Sequence, residues 1–125
     1  MNTHIEFRNA YVAALLWSSI DEDSDNHRYF DEIATGFEEF NAAAQEQIEK
    51  DCKRFLELSK GLFKNKDCEQ AGYDFAFTRN RHGAGFWDKP QVYGKDNADK
   101  LTNIADSFGE IYLYWNEDSQ TVGIE

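Results

Sequence analysis

The sixteen residues YDFAFTRNRHGAGFWD, Tyr73–Asp88, contain five aromatic residues, two arginines, a histidine and two glycines. The aromatic residues at 73, 75 and 77 alternate with 74, 76 and 78, and this two-residue period predicts a strand over Tyr73–Thr78. Arg79–Gly85 then forms a polar turn that contains glycine, and Phe86 and Trp87 return as a short strand. The stretch therefore predicts an antiparallel β-hairpin. The core residues expected with it are Phe75, Phe77, Trp87, Phe108 and Leu113.

Helical periodicity dominates the chain before this stretch. Apolar residues spaced by three or four predict a long amphipathic helix over about Gly36–Lys60, with a capping box of Thr35 and Glu38 at its start. Apolar residues at helical spacing from Tyr11 to Ile20 predict a shorter, largely buried helix, with Asn9 as its cap. Residues 2–8 alternate weakly and indicate a short strand or an extended lead-in, whereas residues 64–72 are expected to be a polar linker.

After the hairpin, residues 89–94 read as a loop. A third helix is expected from Asp96 or Asn97 to Phe108, and Gly109 ends it. Ile111–Trp115 alternates again, and after a turn at Asn116–Gln120 the chain returns over Thr121–Ile124 as an edge strand. The predicted fold is a single α+β domain over residues 1–125, with a helical part at about 9–62 and a sheet-containing part at about 73–124. Its N-terminal helices pack on an antiparallel sheet of three or four strands.

Charge and composition narrow the possible partners. The 125 residues carry 24 acids against 13 lysines and arginines, a net charge of −11, and 15% are aromatic. Such a field repels free nucleic acid and anionic lipid, and it favours a protein partner with a basic surface. The alternatives are that the acidity only keeps the protein soluble, or that the protein mimics DNA toward a DNA-binding protein. The mixed acidic and basic outer face of the long helix weakens the DNA-mimic alternative.

No cofactor, metal or membrane span is expected. Cys52 and Cys68 have no histidine at metal-ligand spacing, and no apolar run approaches the length of a membrane helix. We expect a cytoplasmic protein with reduced thiols and a buried Cys52. The acidic segment Ser18–Arg28 lacks the central glycine and the terminal glutamate of a calcium loop, so we expect a solvated loop.

The polar residues of the Tyr73–Asp88 stretch form the candidate binding site. A histidine near a carboxylate is able to act as a general base, but no serine or cysteine nucleophile accompanies it in this stretch. We therefore assign no catalytic residue and favour a function without catalysis. Arg79 and His82 are expected to be at least partly exposed. The alternative is a turn with a purely structural role, in which Arg79 pairs with Asp74 or Asp88. The candidate binding residues are Arg79, Asn80, Arg81, His82 and Asp88.

Several stretches resemble a widespread group of small proteins encoded by phages and prophages. They are ALLWSS at residues 14–19, Tyr29–Ala34, Asp51-Cys52, Gly72–Asp88 and Leu101–Tyr114. The group carries a hairpin of the form GHDFxLTRNGHGAGFWD. Arg81 stands where the group has glycine, and Ala76 stands where it has a bulky residue. The resemblance implies a phage setting, with host cytoplasm as the compartment, and no particular activity.

Three functions follow as expectations. The first is a small acidic accessory protein that binds a host or phage protein without covalent chemistry, as an inhibitor or a nucleic-acid mimic. The second is a binder or enzyme for a small molecule or nucleotide that uses Arg79, His82 and Asp88. The third is a structural or assembly component. The sequence leaves the oligomeric state open.

Overall fold

The structure, a computed structural model, describes residues 3–21 and 28–125. These residues form a mixed α+β fold that is mostly helical, with one antiparallel pair of strands. The predicted sheet of three or four strands is not present in the described residues. The elements are α1 Thr3–Ser18, α2 Ala42–Leu58, α3 Cys68–Arg79, α4 Pro90–Tyr93, α5 Lys95–Asp106, β1 Leu113–Asn116 and β2 Thr121–Ile124.

The hairpin predicted over Tyr73–Trp87 is wrong, because Tyr73–Thr78 lies within helix α3. Residues of α3 at helical spacing are buried, among them Cys68, Ala71, Phe75 and Arg79. Asp74, Ala76 and Thr78 are buried as well, so the helix has no clean polar face. A helix buried on most sides loses the three-to-four-residue stripe, and the alternating aromatics then dominate the pattern.

Helix α1 begins at Thr3, so the predicted lead-in strand over residues 2–8 is wrong where it is described. Asn9 lies inside this helix and does not cap it. Phe7, Tyr11 and Leu15 follow one another at intervals of four and are fully buried. The weak alternation of residues 2–8 concealed the first member of this buried series.

Helices α1 and α3 pack closely where Gly72 meets the α1 backbone. A Cβ atom on Gly72 would lie 2.4 Å from the carbonyl oxygen of Phe7 and 2.8 Å from the Cβ of Ala10. The missing side chain therefore allows the two helices to approach. Ala71 and Ala76, both fully buried, extend this surface of small residues.

The long helix was predicted, but it begins later than expected. Its cap is Asn41, whose side chain accepts a hydrogen bond from the Ala44 N–H at 2.8 Å. The predicted capping box of Thr35 and Glu38 does not form; Thr35 instead donates from its N–H to Glu39 at 2.7 Å. A short 3-10 helix, Phe37–Glu39, precedes α2.

The predicted return strand is a 3-10 helix, Phe86–Asp88. Phe86 is fully buried, whereas Trp87 is 51% exposed, so the expectation that Trp87 belongs to the core is wrong. Thr78 Oγ1 accepts a hydrogen bond from the Phe86 N–H at 3.1 Å, and a Cβ on Gly85 would lie 2.2 Å from that oxygen. This contact turns the chain back toward α3. Phe86 then faces the core, and the next residue, Trp87, faces solvent.

A stack of aromatic rings forms the centre of the core. The Phe55 and Phe75 ring centroids are 4.3 Å apart, and Tyr11 lies 4.7 Å from Phe75. Phe7 and Phe86 lie 5.5 and 5.6 Å from Phe55. The other three separations fall in the range of about 4.5–7 Å for favourable aromatic pairs, and the Phe55–Phe75 separation lies just below it. The core predictions for Phe75 and Leu113 are confirmed, and Phe77 and Phe108 are partly buried against it.

The C-terminal third follows the sequence prediction most closely. Helix α5 ends near Gly109, which has φ of 75°, and β1 and β2 pair antiparallel with Leu113 opposite Ile124. The predicted loop over 89–94 contains the short helix α4, with Pro90 at its first position, where proline is tolerated. Phe40 forms a parallel bridge with Val122, and the Asn41 N–H donates to the Val122 carbonyl at 2.9 Å. The β1–β2 hairpin is therefore hydrogen-bonded to the start of α2.

Both thiols are buried and free, which confirms the expectation for Cys52. Burial raises the pKa of the Cys52 thiol, and nearby Asp51 raises it further. Most of the acidic segment at 18–28 lies outside the described residues, so the solvated-loop prediction stays a prediction. At its edges, the Asp21 N–H donates to the Arg28 carbonyl at 2.7 Å.

Candidate functional site

Arg79 lies in the interior, where it joins α3 to α1 and α2. Its Nη1 donates to Asp51 Oδ2 at 3.0 Å and to the Tyr11 hydroxyl at 2.8 Å. Its Nε donates to the Gly109 carbonyl at 2.8 Å, and its Nη2 donates to the Phe108 carbonyl at 3.1 Å. Only 6% of the residue is exposed. The expectation of a partly exposed Arg79 is therefore wrong, as is its pairing with Asp74 or Asp88.

The buried acid beside Arg79 is itself supported from α2. The Gln47 side chain donates to Asp51 Oδ1 at 2.8 Å, so both carboxylate oxygens of Asp51 are hydrogen-bonded. Asp51 and Arg79 line one edge of a cavity of about 370 Å³, together with Glu110 and Glu125. Because the guanidinium makes four hydrogen bonds to protein groups, its geometry suits a structural ion pair.

Asn80, Arg81 and His82 form the C-terminal cap of α3. The His82 N–H donates to the Phe77 carbonyl at 2.9 Å, and the Arg81 N–H donates to the Thr78 carbonyl at 3.2 Å. This pair of bonds is the Schellman motif, and Arg81, at φ of 54°, occupies the left-handed position that glycine usually takes. The Asn80 side chain accepts from the Ile111 N–H at 2.8 Å and fixes the next connection.

The remaining candidate, Asp88, serves the local turn. Its Oδ1 accepts from the Gly85 N–H at 3.2 Å and from Lys89 Nζ at 3.3 Å. Lys89 also donates to the fully buried Asp74 at 2.8 Å, and the Tyr93 hydroxyl donates to the same carboxylate at 2.7 Å. Asp74 is thus a second buried acid with its own partners.

The five candidate residues do not converge on one cavity. Arg79 lines the cavity beside α2 and β1, whereas Asn80 and His82 line another of about 360 Å³ beside Ile20. Arg81 lines a third, near Trp87. The sequence placed these side chains on one turn, but the helix that precedes the turn directs them to different sides of the molecule.

A surface that the sequence analysis missed lies along α1 and α3. A cavity of about 540 Å³, here called the aromatic groove, is lined mainly by Trp17, Tyr73 and Phe77, with small alanines and Asp31. An end cavity of about 260 Å³ adjoins it through Trp17 and Asp31 and is completed by Tyr29 and His82. Trp17 is 57% exposed and Tyr29 is 44% exposed. Neighbouring exposed aromatics of this size typically mark a contact surface.

The rings at the end of the groove hold one another in place. Trp17 meets Phe77 at 5.8 Å and His82 at 5.7 Å, both edge to face. His82 stacks on Phe77 at 5.5 Å. His82 is therefore the one member of the sequence-predicted site that belongs to this surface. Trp17 had been expected to be buried; its place at the end of α1, directly before a polar segment, was the signal that pointed to exposure.

No group of three or more His, Cys, Asp or Glu side chains within 3–21 and 28–125 is placed to hold a metal ion. Across the same residues, no helix combines the length and the apolar character needed to cross a membrane.

Comparison with known proteins gives no relative whose role applies to this chain. No family model matches the chain, and no curated protein or solved structure is significantly similar to it. The resemblance to phage proteins therefore stays a prediction, and the geometry of the groove carries the functional argument.

Proposed function

We propose that the protein acts by non-covalent binding of a protein partner with a basic surface, and that the aromatic groove with its end cavity is the contact site. The single observation that carries this proposal is Trp17, more than half exposed and shared by both cavities. Tryptophan and tyrosine are the residues most enriched among those that dominate binding energy at protein interfaces.

The charge distribution supports a basic partner. Residues 9–49, which contribute most of the groove, include ten acids but no lysine and a single arginine, Arg28. The outer face of α2, which does not line the groove, is mixed, with Glu46 and Glu57 exposed beside Lys50, Lys53 and Arg54. Opposite charge across an interface mainly accelerates association and discriminates between partners. A partner whose basic surface ordinarily holds nucleic acid fits the same pattern, and the protein would then act as a competitive inhibitor.

The alternative of a nucleotide or small-molecule site would be favoured by a cavity that Arg79 shares with His82 or Asp88. Arg79 and His82 line different cavities, and Arg79 is engaged by Asp51 and Tyr11. The Thr35 and Tyr73 hydroxyls that line the aromatic groove donate hydrogen bonds to Glu39 and Glu69, and the lining is otherwise mostly apolar, which favours binding without turnover.

The test is quantitative capture of partners from cells that express the protein, comparing wild type with Trp17→Ala. Trp87→Ala is the matched control, because Trp87 is exposed to a similar degree and lies outside the groove. We expect a basic protein to be captured by wild type and by Trp87→Ala, and to be lost with Trp17→Ala. Its association rate should fall several-fold between 20 and 150 mM salt. Capture that is unaffected by Trp17→Ala would overturn the proposal.

A further inference from the structure

We propose that the end cavity is a cage for one lysine or arginine side chain of the partner. In this cage the cation lies against the rings of Trp17 and Tyr29 and pairs with the Asp31 carboxylate. This inference rests on the proposed function and specifies the chemistry that the contact site recognises. Aromatic rings arranged around a carboxylate are the combination that binds organic cations in water, because ring faces and carboxylate oxygens both carry negative potential.

The cage is built by three separate parts of the chain. Trp17 comes from the last turn of α1, and His82 comes from the cap of α3. Tyr29 is brought alongside by an antiparallel bridge to Ile20, supported by the Phe30 N–H donating to the Ser19 carbonyl at 3.1 Å. Asp31 lies in the 3-10 helix Phe30–Glu32, which the fully buried Phe30 anchors. Since each wall is attached to the core, the cavity is preorganised.

The carboxylate of Asp31 is the feature that selects a cation. Asp31 is exposed, and among the residues that the structure describes it has neither an ion pair nor a hydrogen bond from its side chain. Neighbouring Glu32 differs, because it accepts from the Tyr29 N–H at 2.7 Å. Asp31 is therefore free to receive a partner charge, and it disfavours a phosphate or carboxylate in the same place.

The aromatic groove explains why the cation belongs to a peptide. The groove continues from the cage past Trp17 toward Tyr73 and Phe77 and is mostly apolar. A segment with a basic residue next to an apolar one places the cation in the end cavity and the apolar side chain in the groove. A free metal ion would leave the groove empty and would find one carboxylate where several oxygen ligands are needed.

The experiment uses Nα-acetyl-arginine amide as the probe and Nα-acetyl-citrulline amide, its uncharged isostere, as the control. Each is titrated into the ¹⁵N-labelled full chain while the three tryptophan indole N–H signals are followed. We expect the arginine probe to shift the Trp17 signal and the amides of Tyr29 and Asp31, with at least fivefold weaker shifts from citrulline at equal concentration. Asp31→Asn should weaken the arginine response about fivefold, whereas Asp99→Asn, an exposed acid on α5, should leave it unchanged. Trp17→Leu should abolish the response, and Trp87→Leu should preserve it.

Equal shifts from both probes, or arginine shifts centred on Trp87, would overturn the cage. The outcome is separable from that of the proposed function. Trp17-dependent capture of a partner with no arginine preference would leave the groove as the binding site and eliminate the cage. An arginine-selective pocket together with capture that ignores Trp17→Ala would overturn the proposed function, and with it the peptide as occupant.

Discussion

Arg79 and Asp51 form an ion pair at 3.0 Å inside the protein, and they connect α3 to α2 across 28 residues of sequence. Removing the arginine leaves a buried carboxylate without its charge partner. We therefore expect Arg79→Ala to lower the free energy of unfolding by about 3–5 kcal/mol, measured by urea denaturation. Arg81→Ala is the control and should change it by less than about 0.5 kcal/mol, because Arg81 is exposed. Replacing the pair together, as Arg79→Met with Asp51→Leu, should recover part of the loss, and a loss under about 1 kcal/mol for Arg79→Ala would contradict the buried-pair account.

Arg81→Gly should stabilise the protein. Arg81 has a left-handed backbone, which costs a residue with a side chain about 1–2 kcal/mol. Glycine removes this cost, but part of the gain in stability is offset because glycine is more flexible in the unfolded chain. We expect a net gain of about 0.5–1 kcal/mol, read from the thermal unfolding midpoint together with urea denaturation. Arg81→Val should move stability in the opposite direction, since a β-branched residue is poorly tolerated at positive φ. A neutral Arg81→Gly alongside a harmless Arg81→Val would indicate that the cap is not held in this conformation.

Gly72→Ala should be destabilising although alanine is the better helix former. The added methyl group overlaps the carbonyl oxygen of Phe7, and overpacking of this kind typically costs about 1–3 kcal/mol. Gly36→Ala is the matched addition of a methyl group, because a Cβ at Gly36 has no neighbour within 4 Å. Circular dichroism during urea titration measures both variants. Equal free energies of unfolding for Gly72→Ala and Gly36→Ala would show that α1 and α3 do not cross as closely as described.

Stability should decline at alkaline pH. Burial raises the pKa of the Tyr11 and Tyr93 hydroxyls above their ordinary value near 10, and it raises the pKa of the Cys68 thiol to about 11. The folded state therefore holds protons that the unfolded state releases, so this contribution is complete below the unfolded pKa values and is lost as the pH rises. Between about pH 9 and 11 each such group should remove up to about 1.4 kcal/mol per pH unit. Urea denaturation across that range measures the slope, Tyr93→Phe should make it shallower by one group, and a flat profile would be inconsistent with buried protonated hydroxyls.

The sequence predicted those elements whose patterns have one interpretation. Helices α2 and α5 present a buried stripe and an exposed polar face, and the β1–β2 hairpin combines alternation with a turn rich in polar residues. Helix α3 was mistaken for a strand because it is buried on most sides, which erases the stripe that identifies a surface helix. The alternation of Tyr73, Phe75 and Phe77 then outweighed the small residues at 71, 72 and 76.

Of the five candidate residues named from the sequence, His82 lines the end cavity, whereas Arg79 lies in the interior. The difference comes from the assumption that charged residues are exposed. A charged residue in a turn-like context is assumed to be exposed, and that assumption failed for Arg79 because its partner is distant in sequence. A usable signal existed: Asp51 stands between Ile48 and Cys52 on the buried stripe of α2, and a carboxylate there requires a cation. The groove depends on the packing of α1 against α3, which no local pattern reveals.

The aromatic stack around Phe55 and Phe75 draws one or more rings from α1, α2, α3 and the turn that holds Phe86. No one of these segments is able to detach while leaving the stack intact, so the segments share one unfolding event and subglobal opening is suppressed. Amide protons in α1, α2 and α3 should then exchange with solvent at a common, slow rate. The aromatic rings that pack the interior thereby also couple the unfolding of these helices.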